Sequence, residues 1–150
     1  LHGYCRLQKI VGTVGEGENY AMWQQLGRFL VKSVQALEAG KPVAPEIESL
    51  LGEGFEVYLR GENANTKYAV EEKELLAHSS LLSIFLHRTR HLIVAACRTF
   101  EQHLKNSQIA DAWNASMMPI ISAANAHTEY LVLQSFHVRV SAIATTESTI

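Results

Sequence analysis

TKYAVEEKELLAHSSLLSIFLHRTRHLIVAACRTFEQHLK, running from Thr66 to Lys105, is the stretch whose reading decides the fold. Apolar residues recur along it at Val70, Leu75/Leu76, Leu82, Phe85/Leu86, Ile93, Ala96/Cys97, Phe100 and Leu104. From Leu82 onward the steps are three, four or seven residues, which lays one apolar stripe along a helix. No Pro or Gly interrupts it. An unbroken helix of this span would be about 60 Å long, so it must lie against another long element. Glu71, Glu72 and Glu74 would sit near its electropositive start, a favourable placement.

Working outward, the same period appears on both sides. Before it, Met22, Leu26, Phe29/Leu30, Val34 and Leu37 form a stripe from about Asn19 to Ala39, with Asn19 as the expected N-cap and Gly40 then Pro42 as the stop. A short helix is predicted over Glu46–Leu51, ended by Gly52 and Gly54. Residues 52–66 read as a connection between two packing units. After it, a helical pattern starts around Ile109–Trp113 and resumes past Ser116, which can cap a helix that tolerates Pro119 in its first turn. Ile120/Ile121, Ala124, His127, Tyr130/Leu131, Gln134, Val138 and Ser141 fall near one stripe there, widened by Leu133, Phe136 and Val140. Strand signals are nearly absent. The expected fold is all-α, long antiparallel helices in a bundle.

Composition excludes several classes. The chain has 150 residues, 47% hydrophobic and 19% charged, which suits a packed globular domain rather than a disordered segment. Thirteen basic residues against fifteen acidic give a formal charge of −2, so no electrostatic footprint for nucleic acid or an anionic membrane stands out. No apolar run is long enough for a membrane span. Cys5 and Cys97 cannot build a disulfide framework and read as reduced thiols of an intracellular compartment. Asn114-Ala115-Ser116 fits a glycosylation sequon, read as incidental. Both ends look cut: the chain starts at Leu1, and Glu147-Ser148-Thr149-Ile150 carries no Ser-Lys-Leu type peroxisomal address.

Residues 1 to about 19 hold four of the nine glycines and no sustained period, hence a loop. It ends in Glu16-Gly17-Glu18-Asn19, a carboxylate pair at the entry to a helix. The glycines on either side of Glu16 allow close approach of a ligand, and the first turn of the following helix leaves N–H donors free. Removal of a proton α to a carbonyl needs a base of raised pKa, and a Glu in an apolar pocket supplies one. From spacing alone a solvated loop is the favoured reading, with Glu18 as favourable charge at a helix start.

His2-Gly3-Tyr4, then Glu16-Gly17-Glu18-Asn19, then Gln25-Leu26-Gly27-Arg28-Phe29-Leu30 resemble, in that order, the end of the catalytic half of acyl-coenzyme A oxidases. Phe85-Leu86-His87-Arg88-Thr89-Arg90, Ala112-Trp113-Asn114 and Ala126-His127-Thr128-Glu129-Tyr130-Leu131-Val132 resemble the C-terminal helical domain that distinguishes those oxidases from the shorter dehydrogenases. The resemblance implies residues 1–51 as the end of a flavin-dependent helical domain, 52–66 as a linker and 67–150 as an incomplete C-terminal oxidase domain. It implies Glu16 as the catalytic base, Gly17 as a substrate contact, and Gly3, Tyr4, Glu18 and Asn19 near FAD. The implied reaction converts acyl-CoA to trans-2-enoyl-CoA and reduces molecular oxygen to hydrogen peroxide, in a peroxisomal homodimer of fatty-acid β-oxidation. Arg28 is read as structural. Two features depart from the family: eleven residues separate Tyr4 from Glu16, fewer than expected, and Gly15 stands where an aromatic usually precedes the Glu. The alternative is a non-catalytic helical packing module derived from the same fold. In either case the isolated chain is expected to be inactive.

Trp113, His127 and Tyr130 read as packing residues, with the last two neighbours on one helix face. His87 and His91 are four apart but lack a third ligand, so no metal is expected. Arg88, Arg90 and Arg98 form a modest basic patch, read as solvated or inter-helix charge, although it would also suit the phosphates of CoA.

Overall fold

A computed structural model describes residues 19–62 and 77–147, among which every regular element is helical. They are α1 (Asn19–Glu38), α2 (Pro45–Leu51), α3 (Glu56–Leu59), α4 (His78–Leu104), α5 (Ile109–Ala115) and α6 (Met117–Glu147). The all-α expectation holds. None of these helices is long and apolar enough to cross a membrane.

α4 and α6 share the largest interface, and they run antiparallel. Contacts step down one as they step up the other: His78 meets His137, Arg88 pairs with Glu129, and the Thr89 hydroxyl lies 3.1 Å from the Ala126 carbonyl. α1 packs on both. Where it crosses α6 the helices touch backbone to side chain at Gly27. A Cβ added there would fall 2.5 Å from the Ile120 carbonyl oxygen and against Ile120 Cγ2 as well. Only glycine permits that approach.

The core is continuous across these elements. Leu30, Val31 and Val34 of α1, Ile47, Leu50 and Leu51 of α2, and Phe55 join Ile93, Ala96, Cys97 and Phe100 of α4, with Ala112, Ile120 and Ala123 behind them. Each fully buried large apolar side chain contributes roughly 1.5–3 kcal/mol. That burial explains how the seven-residue α2 persists, since so short a helix is unstable alone. Its free carbonyl end is also held: Arg90 Nε–H donates to Leu50 O at 2.8 Å and its Nη2 to Glu53 O at 3.1 Å. A guanidinium at a helix C-terminus satisfies orphan carbonyls and opposes the dipole. Side chains from both sides of 52–66 thus meet in one core, and α3 forms inside that stretch.

The ends show where side-chain chemistry differs from expectation. α1 stops as predicted: Gly40 has φ +67°, Gly40 N–H donates to Leu37 O at 3.0 Å and Lys41 N–H to Ala36 O at 2.8 Å. That pair of bonds is a Schellman motif, open to glycine because of its positive φ. At the other end Asn19 is the first helical residue rather than the cap, a one-residue difference. The long helix is shorter than the 66–105 pattern suggests. Ala77 is extended (φ −64°, ψ 135°), and α4 starts at His78, making it about 40 Å long. Glu71, Glu72 and Glu74 lie outside the described residues. Ser116 separates α5 from α6, yet its buried Oγ has no hydrogen-bond partner among the described residues, so it does not cap with its side chain. Pro119 sits in the first turn of α6, where its missing N–H costs nothing.

Candidate functional site

Of the six residues assigned to the active site, Gly3, Tyr4, Glu16, Gly17 and Glu18 lie outside the described residues. Asn19 is described and opens α1, a 20-residue helix. The motif therefore feeds directly into the helix that Gly27 locks against α6. Next to it Tyr20 is exposed, and its ring lies 6.3 Å by centroid from that of Trp23, half-buried one turn on from Asn19.

Trp23 forms one wall of a groove of about 700 Å³, lined also by Phe85 of α4 and by Asn125, Thr128, Glu129, Val132, Leu133 and Phe136 of α6. The sequence reading took Leu133 and Phe136 as a widening of the core stripe. In the structure they belong to a second face: Phe136 is 57% and Val132 48% exposed, whereas the core stripe of Ile120, Ala123, Ala124, His127 and Tyr130 is buried. The spacing 125, 128/129, 132/133, 136 was the signal available for it.

Each arginine of the basic patch is engaged in holding helices together. Arg88 pairs with Glu129 across α4 and α6. Arg90 binds the end of α2, and its Cζ lies 5.8 Å from the Tyr58 ring centroid. Arg98 spans α4 and α1, with Nη2 2.6 Å from Glu38 Oε1 and Nη1 2.9 Å from Glu101 Oε2. Of the two roles read from sequence, solvated or inter-helix charge, the contacts favour the second for all three. Arg28 is structural as well: its Cζ lies 5.4 Å over the Trp113 ring, which stacks on Phe100 at 3.9 Å. Trp113 is thereby a packing residue.

His87 is engaged with another element. Its Nδ1 lies 2.7 Å from the Tyr58 hydroxyl of α3, while His91 is exposed. A cross-helix group does bring together ligand types that spacing could not show. Glu38, Cys97 and Glu101 place one carboxylate or thiol atom each within 4.8 Å of one another. Arg98 already binds both carboxylates and supplies the positive charge that a cation would bring. Burial first, then the Glu101 and Glu38 charges, push the Cys97 thiol up to about 12, so it stays protonated. A protonated, buried thiol is a poor nucleophile.

His127 is 3% exposed, and its Nδ1 has no hydrogen-bond partner among the described residues. Desolvation lowers its pKa to about 4, so the imidazole is neutral at pH 7. Burial also raises the Tyr130 phenol, with Arg90 opposing. Both are core residues, as their stripe suggested.

Comparisons with known proteins bear on the same helices. Residues 77–150 match the family model described as Acyl-CoA oxidase. The chain is 28% identical over 138 residues to peroxisomal acyl-coenzyme A oxidase 1 of Phascolarctos cinereus, covering 85% of this chain and 19% of that protein. It is 29% identical over 140 residues to acyl-coenzyme A oxidase acox-1.2 of Caenorhabditis elegans, covering 89% of this chain and 18% of that one. The crystal structure of acyl-CoA oxidase 1 from Yarrowia lipolytica superposes with a TM-score of 0.67 at 22% identity, over 88% of this chain and 18% of the other, a likeness of fold. The chain spans about a fifth of the length of the curated relatives it matches. By the family model over residues 77–150 and by these relatives over most of its length, the chain is similar to acyl-CoA oxidases.

Proposed function

We propose that this chain is the C-terminal part of an FAD-dependent acyl-CoA oxidase of peroxisomal fatty-acid β-oxidation, the assembled enzyme being a homodimer. Likeness to acyl-CoA oxidases carries the reading, supported by relatives named peroxisomal acyl-coenzyme A oxidase 1. In it, residues 1–51 complete the flavin-dependent helical domain, 52–66 link, and 67–150 belong to the C-terminal oxidase domain.

Glu16 acts as the base. Its carboxylate takes the α-proton of the acyl thioester as the C–H bond at the β-carbon breaks and the Cα=Cβ double bond of trans-2-enoyl-CoA forms. FAD, when bound, supplies the two-electron acceptor for the β-hydride, and the electron pair leaves on oxygen as hydrogen peroxide. Gly17 lets the backbone approach the thioester without a Cβ in the way. Asn19 fits a flavin contact because it opens a long helix, whose first-turn N–H groups are donors without intrahelical acceptors. Gly3, Tyr4 and Glu18 complete the proposed set. By this account the 150 residues alone neither retain FAD nor turn over acyl-CoA.

One observation favours a second reading, a non-catalytic packing module: α6 carries an uncovered apolar face at Val132 and Phe136. Flavin content of the native polypeptide separates the two. An antibody to this chain would be used to find the native polypeptide, its size and its compartment, and to isolate it for a peroxide assay with an acyl-CoA. A polypeptide several times larger, in peroxisomes, with bound flavin and acyl-CoA-dependent peroxide is the expected result. A flavin-free native polypeptide of about this chain's length would overturn it.

A further inference from the structure

The antiparallel pair of α4 and α6 is closed at one end by α5 and open at the other. Thr89 with Ala126 and Arg88 with Glu129 hold its middle. About 12–15 Å further toward the open end, at 1.5 Å per residue, two histidines meet. His78 is the first residue of α4 and His137 lies on α6. Their ring centroids are 5.5 Å apart, with the planes inclined at 32°. His78 is exposed and His137 half-buried, so both are within reach of solvent. Among the described residues neither ring takes part in a hydrogen bond or an ion pair. His87 differs, since its Nδ1 is engaged with Tyr58.

The spacing suits one shared ion. A ring nitrogen holds Zn²⁺ at about 2.0–2.1 Å, which puts the imidazole centroid about 3.2 Å from the metal. Two such rings at a tetrahedral angle stand about 5.2 Å apart by centroid, close to the 5.5 Å between His78 and His137. Rotation about χ2, a soft torsion in histidine, turns a nitrogen of each ring toward the point between them. Imidazole suits zinc, nickel and copper, whereas magnesium and calcium take oxygen ligands. Water fills the positions that two histidines leave, so affinity is modest and the gain lies in the crosslink.

The crosslink would hold an end that local chemistry leaves without support. Ala77 is extended and supplies no side-chain cap, and the first turn of α4 has no acidic residue. About 60 residues of chain separate His78 from His137, so a link between them closes a long loop. That is the case in which a metal clip removes most entropy from the unfolded chain.

We propose that His78 and His137 form a two-histidine site for a divalent transition metal of the zinc, nickel and copper class, clipping the start of α4 to α6. The site is independent of the catalytic reading.

The test is a titration of the full chain with Zn²⁺, followed by calorimetry and thermal unfolding, with Mg²⁺ as the control. One Zn²⁺ per chain is expected. At about ten times its Kd the ion favours the folded state about elevenfold, which raises Tm by about 3–6 °C. His78→Ala and His137→Ala each abolish the rise. His91→Ala, which removes an exposed histidine further along α4, keeps it. Each variant is compared with and without Zn²⁺, so a change in its own stability does not enter the result. In the unsubstituted chain the ring proton resonances of His78 and His137 should shift together as Zn²⁺ is added. No saturable binding up to about 1 mM Zn²⁺ overturns the proposal. So does a rise in Tm that survives His78→Ala or His137→Ala, that His91→Ala removes, or that Mg²⁺ reproduces. Resonance shifts confined to other histidines, or one ion shared between two chains, overturn it as well.

Discussion

Replacing Gly27 by alanine is the sharpest probe of the packing that positions α1. In an open helix interior the change would stabilise, because alanine exceeds glycine in helix propensity by about 0.8–1.0 kcal/mol. Here the new methyl group would lie 2.5 Å from the Ile120 carbonyl oxygen, 3.0 Å from its carbonyl carbon, and in collision with Cγ2. Ile120 is 2% exposed and its backbone is part of α6, so no flexible side-chain end can yield. The helices must part, at a cost of about 1–3 kcal/mol for an overpacked contact, more when backbone has to move. Because α6 backbone has to move, the collision falls at the upper end, about 2–3 kcal/mol, and after the propensity gain the net loss is about 1–2 kcal/mol. For a chain of this size that lowers the thermal midpoint by roughly 2–8 °C. Urea unfolding followed by far-ultraviolet circular dichroism reads the same loss as a lower midpoint at unchanged slope. A midpoint equal to or above that of the parent would refute the close crossing and the role of Gly27 in it.

Two further outcomes follow from the buried titratable groups. His127 has a folded-state pKa of about 4 against 6.5 unfolded, so the unfolded chain binds more protons between those values. Stability is then fully present above pH 6.5 and falls as pH drops toward 4, by about 2 kcal/mol at pH 5. Urea titrations at pH 7 and 5 check this, and His127→Gln should remove that share of the pH dependence. Cys97, protonated and buried, should resist maleimide at pH 8 in the folded chain and react once the chain is unfolded in guanidinium, as mass spectrometry would show. Rapid labelling of the native thiol would contradict the packing around it.

The sequence was most legible where period and punctuation act locally. The stripe of α1, its glycine stop at Gly40 and the Pro119 start of α6 depend on neighbours within one turn, and they stand as read. The stripe of α4 was also legible, but not its start. Leucines at 75 and 76 continue the apolar pattern across Ala77, and period alone cannot register an extended residue inside such a run. Ser116 shows the limit of residue-type rules. A serine in the residue before a helix usually caps it, but this one sits at φ −95°, ψ 7°, outside the extended conformation typical of a capping residue. Long-range pairings were the least legible. Arg90 reaches back forty residues to Leu50, and Glu38 meets Arg98 sixty residues away. The second stripe of α6 was visible as apolar positions, yet only the three-dimensional packing separates a face in the core from one left uncovered. Of the site itself, the entry of the motif into α1 at Asn19 is what the fold adds.

The central claim is that Glu16 removes the α-proton in a flavin enzyme to which this chain belongs. Its most direct test is anaerobic flavin bleaching by an acyl-CoA in the native polypeptide that carries these residues, beside its Glu16→Gln variant. Bleaching in the parent and its loss by at least a thousandfold in rate in the variant, with flavin still bound, is the expected result. Equal bleaching in both, or a parent polypeptide that binds no flavin, would contradict it.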